Sequence, residues 1–464
     1  MFDRDVYRAR RDGLRRHLNR GVALFLGNEE SPMNYADNAY RFRQDSSFLY
    51  YFGLDTAGLA AILDLDEGTE TLYGPEPTVE DFVWTGPLPS LKERAARAGV
   101  ERVMAPARLE EDLLRIRQAG REVHFLPPYR PENKLKLLAW LGVPPDRASV
   151  EASVPFIRAV VEQRSVKSPE EVAEIEKAVD ISVDMHLTAL RMARPGVTEA
   201  RIAAAVHQVA RAAGGDLSFP IIATVHGEVL HQHAQTETLQ SGGLFLLDAG
   251  AETALHYAGD LSTTMPVDGR FTERQKEIYR IALAAHETAK AALKPGVPHL
   301  DVHLAACRTI AEGLKGLGLM KGDLDDAVRK GAHALFFPCG EGHMMGLDVH
   351  DMEDLGEVHV GYEGRPKSTQ FGLKSLRLAR PLQPGFVVTV EPGIYFIPQL
   401  IDQWRAEDRF PEYIDYDRVE AYKDFGGLRN EEDVIITADG YRVLGRKKPL
   451  TVEEIESLVG KADA

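Results

Sequence analysis

The sequence predicts two domains: an α/β domain over residues 1–165, then a mixed α+β domain over residues 166–464. Three observations lead there. The first stretch alternates short apolar runs of strand length with helix-like segments. A strong helix start follows at Ser168. The remainder shows a faint internal duplication.

In the first domain, Val22–Leu26 and Leu59–Leu65 are strand-length apolar runs, and Leu91–Ala98 and Leu109–Ile116 have helical character. No catalytic motif lies here, and its plain reading is packing or assembly. The boundary falls near Arg164-Ser165-Val166-Lys167. Beyond it Ser168 can cap a helix, Pro169 suits the first helical position and Glu171 completes a capping box. Ile175, Ala178, Val179, Ser182 and Met185 then recur at helical spacing. In the duplication, Pro195-Gly196-Val197 precedes the helical stretch Ile202–Ala212, and Pro295-Gly296-Val297 precedes Val302–Leu314. Each half then has a glycine leading into an apolar strand that ends in a carboxylate. Gly242 leads to Asp248, and Gly385 to Glu391.

Composition narrows the class. With 464 residues, 44% hydrophobic and 27% charged, the chain has material for sizeable cores. A net charge of −16 disfavours a nucleic-acid partner. Cys307 and Cys339 make no disulfide framework, which points to a reducing, cytoplasmic compartment. The N-terminus is too charged for a signal peptide, and its aspartates argue against a transit peptide. No apolar run approaches the ~20 residues of a membrane span.

The chemistry is carried by five segments. Leu244–Leu247 reads as a buried strand ending at Asp248. His256–Thr264 reads as the return strand of a hairpin, with Asp260 facing Asp248 across it. An acidic residue at a strand end is also an ordinary turn residue. In CGEGHMMGLDVHDM, His343 and His350 sit among glycines, without the four-residue spacing of a zinc-binding helix. They suit a close-packed site or two satisfied structural histidines. Glu391 ends an apolar strand stopped by Pro392-Gly393, where a buried carboxylate needs a partner or a metal. Glu431 precedes another apolar run, with Arg429 two positions earlier and on the same side of an extended segment. Four carboxylates and one histidine form an oxygen-rich set. It suits two divalent ions, manganese ahead of zinc, rather than a structural zinc. Cys307 is set aside as a ligand because it lies in a helical stretch.

At this point the chain resembles the creatinase-like metallopeptidases of the M24 family, in the prolidase and aminopeptidase P group. The segments LLDAGAE, YAGDLSTTMPVDGRFT, GHMMGLDVHD, LQPGFVVTVEPGIYF and FGGLRNEEDV occur in the family's order, and FRQDSSFLYYFGL resembles its N-terminal domain. The resemblance implies a "pita-bread" catalytic fold of a curved sheet backed by helices, behind an N-terminal creatinase/aminopeptidase-P-like domain. It implies that Asp248 chelates one metal, that Asp260 and Glu431 bridge two, and that His343 and Glu391 complete the other. Glu391 would also carry a proton, and His350 would steady the reacting carbonyl. His231 would line the proline side, Arg377 would hold a substrate carboxylate, and Arg429 would support the site. The ions would be manganese, with zinc or cobalt as alternatives, and the assembly a homodimer. Cys339 departs from the family, which usually has histidine there.

The implied activity is hydrolysis of Xaa-Pro bonds in proline-containing peptides. The long insertion between Glu391 and Glu431, with Arg377, leans towards an Xaa-Pro dipeptidase. The alternative is an Xaa-Pro aminopeptidase acting on longer peptides. A reading from another class, a non-catalytic pita-bread binding module, is disfavoured because all five ligand positions are filled.

Overall fold

The computed structural model describes residues 1–461; the last three positions of the predicted catalytic domain, 462–464, lie outside the described residues. The chain forms two compact units. The first comprises Met1–Arg164 with Met352–His359, and the second Ser165–Asp351 with the chain from Val360 onward. The short segment Met352–His359 therefore groups with the first unit although it lies far along the sequence.

The first unit is built on a five-stranded mixed sheet. Its strands are β1 (Val22–Leu26), β2 (Ala60–Asp64), β3 (Glu70–Tyr73), β4 (Arg102–Met104) and β5 (Val123–Phe125), in the order β4-β3-β2-β1-β5. The helices expected around Leu91 and Leu109 form as Leu91–Arg97 and Ala107–Gln118. Phe25 lies at the core, with the rings of Tyr51, Phe52 and Phe156 centred 5.0–5.3 Å away. Arg11 is fully buried. It is tolerated because Glu70 accepts from both Nε (2.8 Å) and Nη2 (2.9 Å).

The second unit repeats one theme. Helix Pro169–Met192 opens with the expected Ser168–Glu171 capping box and buries Ile175, Ala178, Val179, Ser182 and Met185. It packs against helix Glu199–Ala212, and Glu273–Ala292 packs against His299–Gly316 in the same way. The turns between the paired helices match bond for bond. In the first half Gly196 N–H donates to the Leu239 carbonyl at 2.9 Å, and Leu239 N–H donates back to Val197 at 2.9 Å. In the second half Gly296 donates to Leu382 at 2.8 Å, and Leu382 donates to Val297 at 2.9 Å. Gly242 (φ +82°) and Gly385 (φ +89°), three positions beyond each of those leucines, redirect the chain into a strand.

These strands carry the acids. Strands β6 (Asp216–Leu217), β7 (Ile222–Thr224), β8 (Leu244–Asp248), β9 (Ala251–Glu252) and β10 (Ser262–Pro266) belong to the first half. Strands β11 (Val387–Val390), β12 (Gly393–Tyr395), β13 (Gly427–Arg429), β14 (Glu432–Ile436) and β15 (Tyr441–Val443) belong to the second. The sheets run β10-β8-β7 and β11-β14-β15, with the pairs β12-β13 and β6-β9 beside them. Every residue of β8, β10 and β11 is buried.

One expectation needs correcting. Asp248 pairs across the ladder with Ser262, not with Asp260. The chain between them leaves the ladder as β9, which pairs with β6, and returns through His256 in a left-handed conformation (φ 66°). Asp260 lies two residues before Ser262, so it shares the face of Asp248 on a diagonal.

Candidate metal centre

Two breaks in strand ladders create the site. Strands β11 and β14 pair up to Val390↔Glu432, and β12 and β13 continue in the same register from Gly393↔Arg429. Between them Pro392 has no N–H to give the ladder, so pairing lapses over Glu391-Pro392 and Asn430-Glu431. Extending the register by one pair sets Glu391 opposite Glu431. Asp248 ends β8 and Asp260 precedes β10, which adds two acids from the first half.

His343 comes from a loop laid along β11. Its N–H donates to Thr389 Oγ1 at 3.1 Å, and Thr389 N–H donates to the His343 carbonyl at 3.1 Å. Gly342 makes this approach feasible: a Cβ there would stand 2.2 Å from the Thr389 carbonyl oxygen. Nδ1 of His343 is 3.0 Å from the Met344 carbonyl, so Nδ1 carries the hydrogen. That leaves Nε2 as the ring's electron-pair donor, 3.5 Å from Asp260 Oδ2 and 3.5 Å from Glu391 Oε1. Donor atoms of Asp260, His343 and Glu431 all lie within 4.8 Å of one another.

The balance of charge decides what the site can do. Asp248, Asp260 and Glu431 are buried, and Glu391 is only 20% exposed at its side chain. Arg429 is the buried cation among them. It donates from Nη2 to Asp248 Oδ2 (2.5 Å), from Nη1 to the Tyr395 hydroxyl (2.8 Å) and from Nε to Ser262 Oγ (2.9 Å). Ser262 Oγ donates in turn to Glu431 Oε2 at 2.8 Å. Burial pushes the Asp260 carboxyl well above the carboxylate range, reinforced by the Asp248 charge. Glu431 is raised by burial and then by Asp260, Glu391 and Asp248. Burial raises Glu391 too, against the pull of His343 and Arg429. Oδ1 of Asp248 and Oδ1 of Asp260 are buried with no hydrogen-bond partner among the described residues. Concentrated buried negative charge with unpartnered oxygens is stabilised by protons or by cations. The donor set, four carboxylates and one imidazole, fits two hard or borderline divalent ions.

The other predicted residues surround this centre. The ring centroid of His350 is 4.4 Å from that of His343. His231 lies on the exposed side of the site. Partial desolvation lowers its pKa first, followed by the nearby Arg429 cation, with Asp248, Arg377 and His350 also in electrostatic reach. The Arg377 charge also acts on Asp260. Cys339 is partly buried. Its thiol is pushed up to about 12 by burial and then by Glu391.

Sequence reasoning passed over the residues that hold the acids in place. Ser262 ties Glu431 to Arg429, Tyr395 supports Arg429, and the Asp433 carboxylate accepts from the Asp260 N–H at 2.9 Å. Asp433 alone had a signal in alternation, two positions beyond Glu431 on the same side of an extended segment.

The profile of Metallopeptidase family M24 matches residues 173–438, and that of the Aminopeptidase P N-terminal domain matches residues 7–124. The chain is 31% identical to the Xaa-Pro dipeptidase of Homo sapiens, over 95% of this chain and 89% of that protein. It is 30% identical to the Xaa-Pro aminopeptidase of Escherichia coli, over 99% of this chain and 98% of that protein. Among solved structures, zinc-substituted E. coli aminopeptidase P in complex with product superposes with a TM-score of 0.80 at 28% identity, covering 98% of each chain. Pseudomonas aeruginosa aminopeptidase PepP superposes with a TM-score of 0.81 at 27% identity and the same coverage. The mixed α/β N-terminal unit, the duplicated catalytic unit and these matches agree, and the chain belongs to metallopeptidase family M24.

Proposed function

We propose that this chain is a metalloexopeptidase that hydrolyses Xaa-Pro bonds, acting as an Xaa-Pro dipeptidase. The observation that carries this reading is the convergence of Asp260, His343 and Glu431 within 4.8 Å, with Glu391 in contact with His343. Asp248, Asp260, His343, Glu391 and Glu431 hold two divalent ions, with manganese favoured by the oxygen-rich donors. When bound, such ions supply an activated water and polarise the scissile carbonyl.

The chain's own residues do the rest. Arg429 fixes Asp248, and through Ser262 it fixes Glu431, so the acids hold their orientation through the reaction. Glu391, beside His343, takes a proton from the attacking water at a carboxylate oxygen and gives it to the departing proline nitrogen. His350, packed against His343, donates to the oxygen that gains charge as the carbonyl becomes tetrahedral. His231 borders the proline side. Arg377 binds the carboxylate of a dipeptide, for which a guanidinium is well shaped.

Residues 1–165 form the N-terminal domain of this reading and residues 166–464 the catalytic domain. Two free cysteines in a chain of this length support a cytoplasmic setting. No helix among the described residues is long and apolar enough to cross a membrane. A homodimer is supported by the exposed apolar row on helix Val79–Thr85, where Val79, Val83 and Trp84 are 78%, 73% and 79% exposed. Light scattering that finds a monomer at micromolar concentration contradicts the dimer.

The second reading is an Xaa-Pro aminopeptidase. It is favoured by the near full-length match to the E. coli enzyme and by Cys339, which alters the subsite beside Glu391. The test offers Ala-Pro and Ala-Pro-Ala separately with manganese. The dipeptidase reading predicts turnover of Ala-Pro, and turnover of the tripeptide alone overturns it.

A further inference from the structure

Helix His299–Gly316 places His299, His303 and Cys307 one turn apart on one face, and all three are fully buried. His333, from the short 3-10 turn Ala332–Leu335, meets the last two. One donor atom from each of His303, Cys307 and His333 lies within 4.8 Å of the others, and Cys307 Sγ is 3.4 Å from His303 Nε2. Donors sharing one tetrahedral zinc, at bonds of about 2.0–2.3 Å, stand roughly 3.3–3.8 Å apart. The triad therefore needs only a small contraction.

A second observation points to a ligand. His303 Nδ1, at least one nitrogen of His333, whose backbone neighbour is the Val328 carbonyl, and both oxygens of Glu341 are buried with no hydrogen-bond partner among the described residues. Glu341 is fully buried, and its charge acts on Cys307 and Cys339. Unmet buried nitrogens beside a buried thiol are rare in a native interior. Both imidazoles are in the neutral form that binds metals. Burial holds His303 down to about 3, helped by His333, and holds His333 down to about 4.

We propose that His303, Cys307 and His333 form a second metal site, of nitrogen and sulfur donors, that takes one zinc-class cation. It is chemically distinct from the oxygen-rich centre: two imidazoles and a thiolate select a borderline-soft ion, where carboxylates select a hard one. On binding, the Cys307 S–H bond breaks. Sulfur keeps the electron pair for the cation, and the proton leaves to solvent. A dipositive ion with one thiolate leaves one net positive charge at the site. The ion fastens the turn Ala332–Leu335 to the helix, and this turn leads into the loop that carries Glu341 and His343.

The test uses full-length protein, stripped of metal, saturated with manganese and then titrated with cobalt. The site predicts a sulfur-to-cobalt charge-transfer band in the near ultraviolet that saturates at one equivalent per chain. Cys339→Ser retains the band and Cys307→Ser loses it. X-ray absorption of the zinc-loaded protein shows one sulfur neighbour at about 2.3 Å. If Cys307→Ser does not fold, His333→Gln serves, with an expected loss of cobalt affinity of at least tenfold. No band in the unaltered protein overturns the site, as does a band that survives Cys307→Ser, disappears with Cys339→Ser, or keeps its affinity in His333→Gln. None of these readouts depends on peptidase activity.

Discussion

Asp260 lies where His343 and the other acids of the site meet. It lies against His343, shares charge with Asp248 and Glu431, and is held from its backbone by Asp433. Asp260→Asn keeps the shape and removes the charge. Metal analysis should find the ions lost, and turnover should fall by more than the 10–100-fold typical of an outer-shell partner. The raised carboxyls set a second expectation. Without metal, Asp260, Glu391 and Glu431 hold protons at pH values where ordinary carboxylates are ionised. Manganese must displace those protons, so its binding releases protons over that pH range and its affinity falls as the pH is lowered through it. Calorimetry in buffers of different ionisation enthalpy measures the release, and its absence contradicts the shifted pKa values. Arg377 belongs to the same scale. Arg377→Ala should raise KM for Ala-Pro by roughly 10- to 150-fold, the ~1.5–3 kcal/mol of a hydrogen bond to a charged group. The bound metal should stay unchanged. At this scale Asp248, Glu391 and Glu431 were legible because each ends or precedes an apolar run in the sequence, and Asp260 because it lies on the return arm of the hairpin from Asp248. Tyr395 and Ser262 were not, because a tyrosine or serine in a strand is ordinary until its partner across the fold is known. Cys307 was set aside for lying in a helix, yet the helix is what stacks it one turn from His303.

Among the elements, the strands and helices with clear periodicity formed where the sequence placed them. Helix Pro169–Met192 has its capping box, and β8 is buried throughout. The return path to β10 was less legible. The detour through β9 depends on pairing with β6, a distant strand of two residues, and so short a segment carries no period to read. Gly342 tests the element that brings His343 to β11. Gly342→Ala drives a methyl group against the Thr389 carbonyl, so loop and strand must part. Overpacking of this kind costs about 1–3 kcal/mol. Thermal unfolding should shift down, and manganese affinity should drop because His343 moves with the loop. Unchanged metal affinity would show that the loop position does not govern the centre.

For the whole molecule, the duplication explains why a single centre draws on such distant residues. Each half supplies a helix pair, a Pro-Gly turn bonded to a leucine, and a strand carrying acid at or beyond its end. The repeat was faint in sequence because only the turn glycines and the strand-end acids need to match, while the packed faces are free to diverge in shape and volume. The central claim is that the acids of both halves and His343 enclose one pair of cations. Anomalous diffraction from crystals grown with manganese measures this directly. The account predicts two peaks about 3.5–4 Å apart, both in contact with Asp260 and Glu431, with His343 and Glu391 on one and Asp248 on the other. No peak at that position, or a single ion that leaves Asp248 without contact, would contradict it.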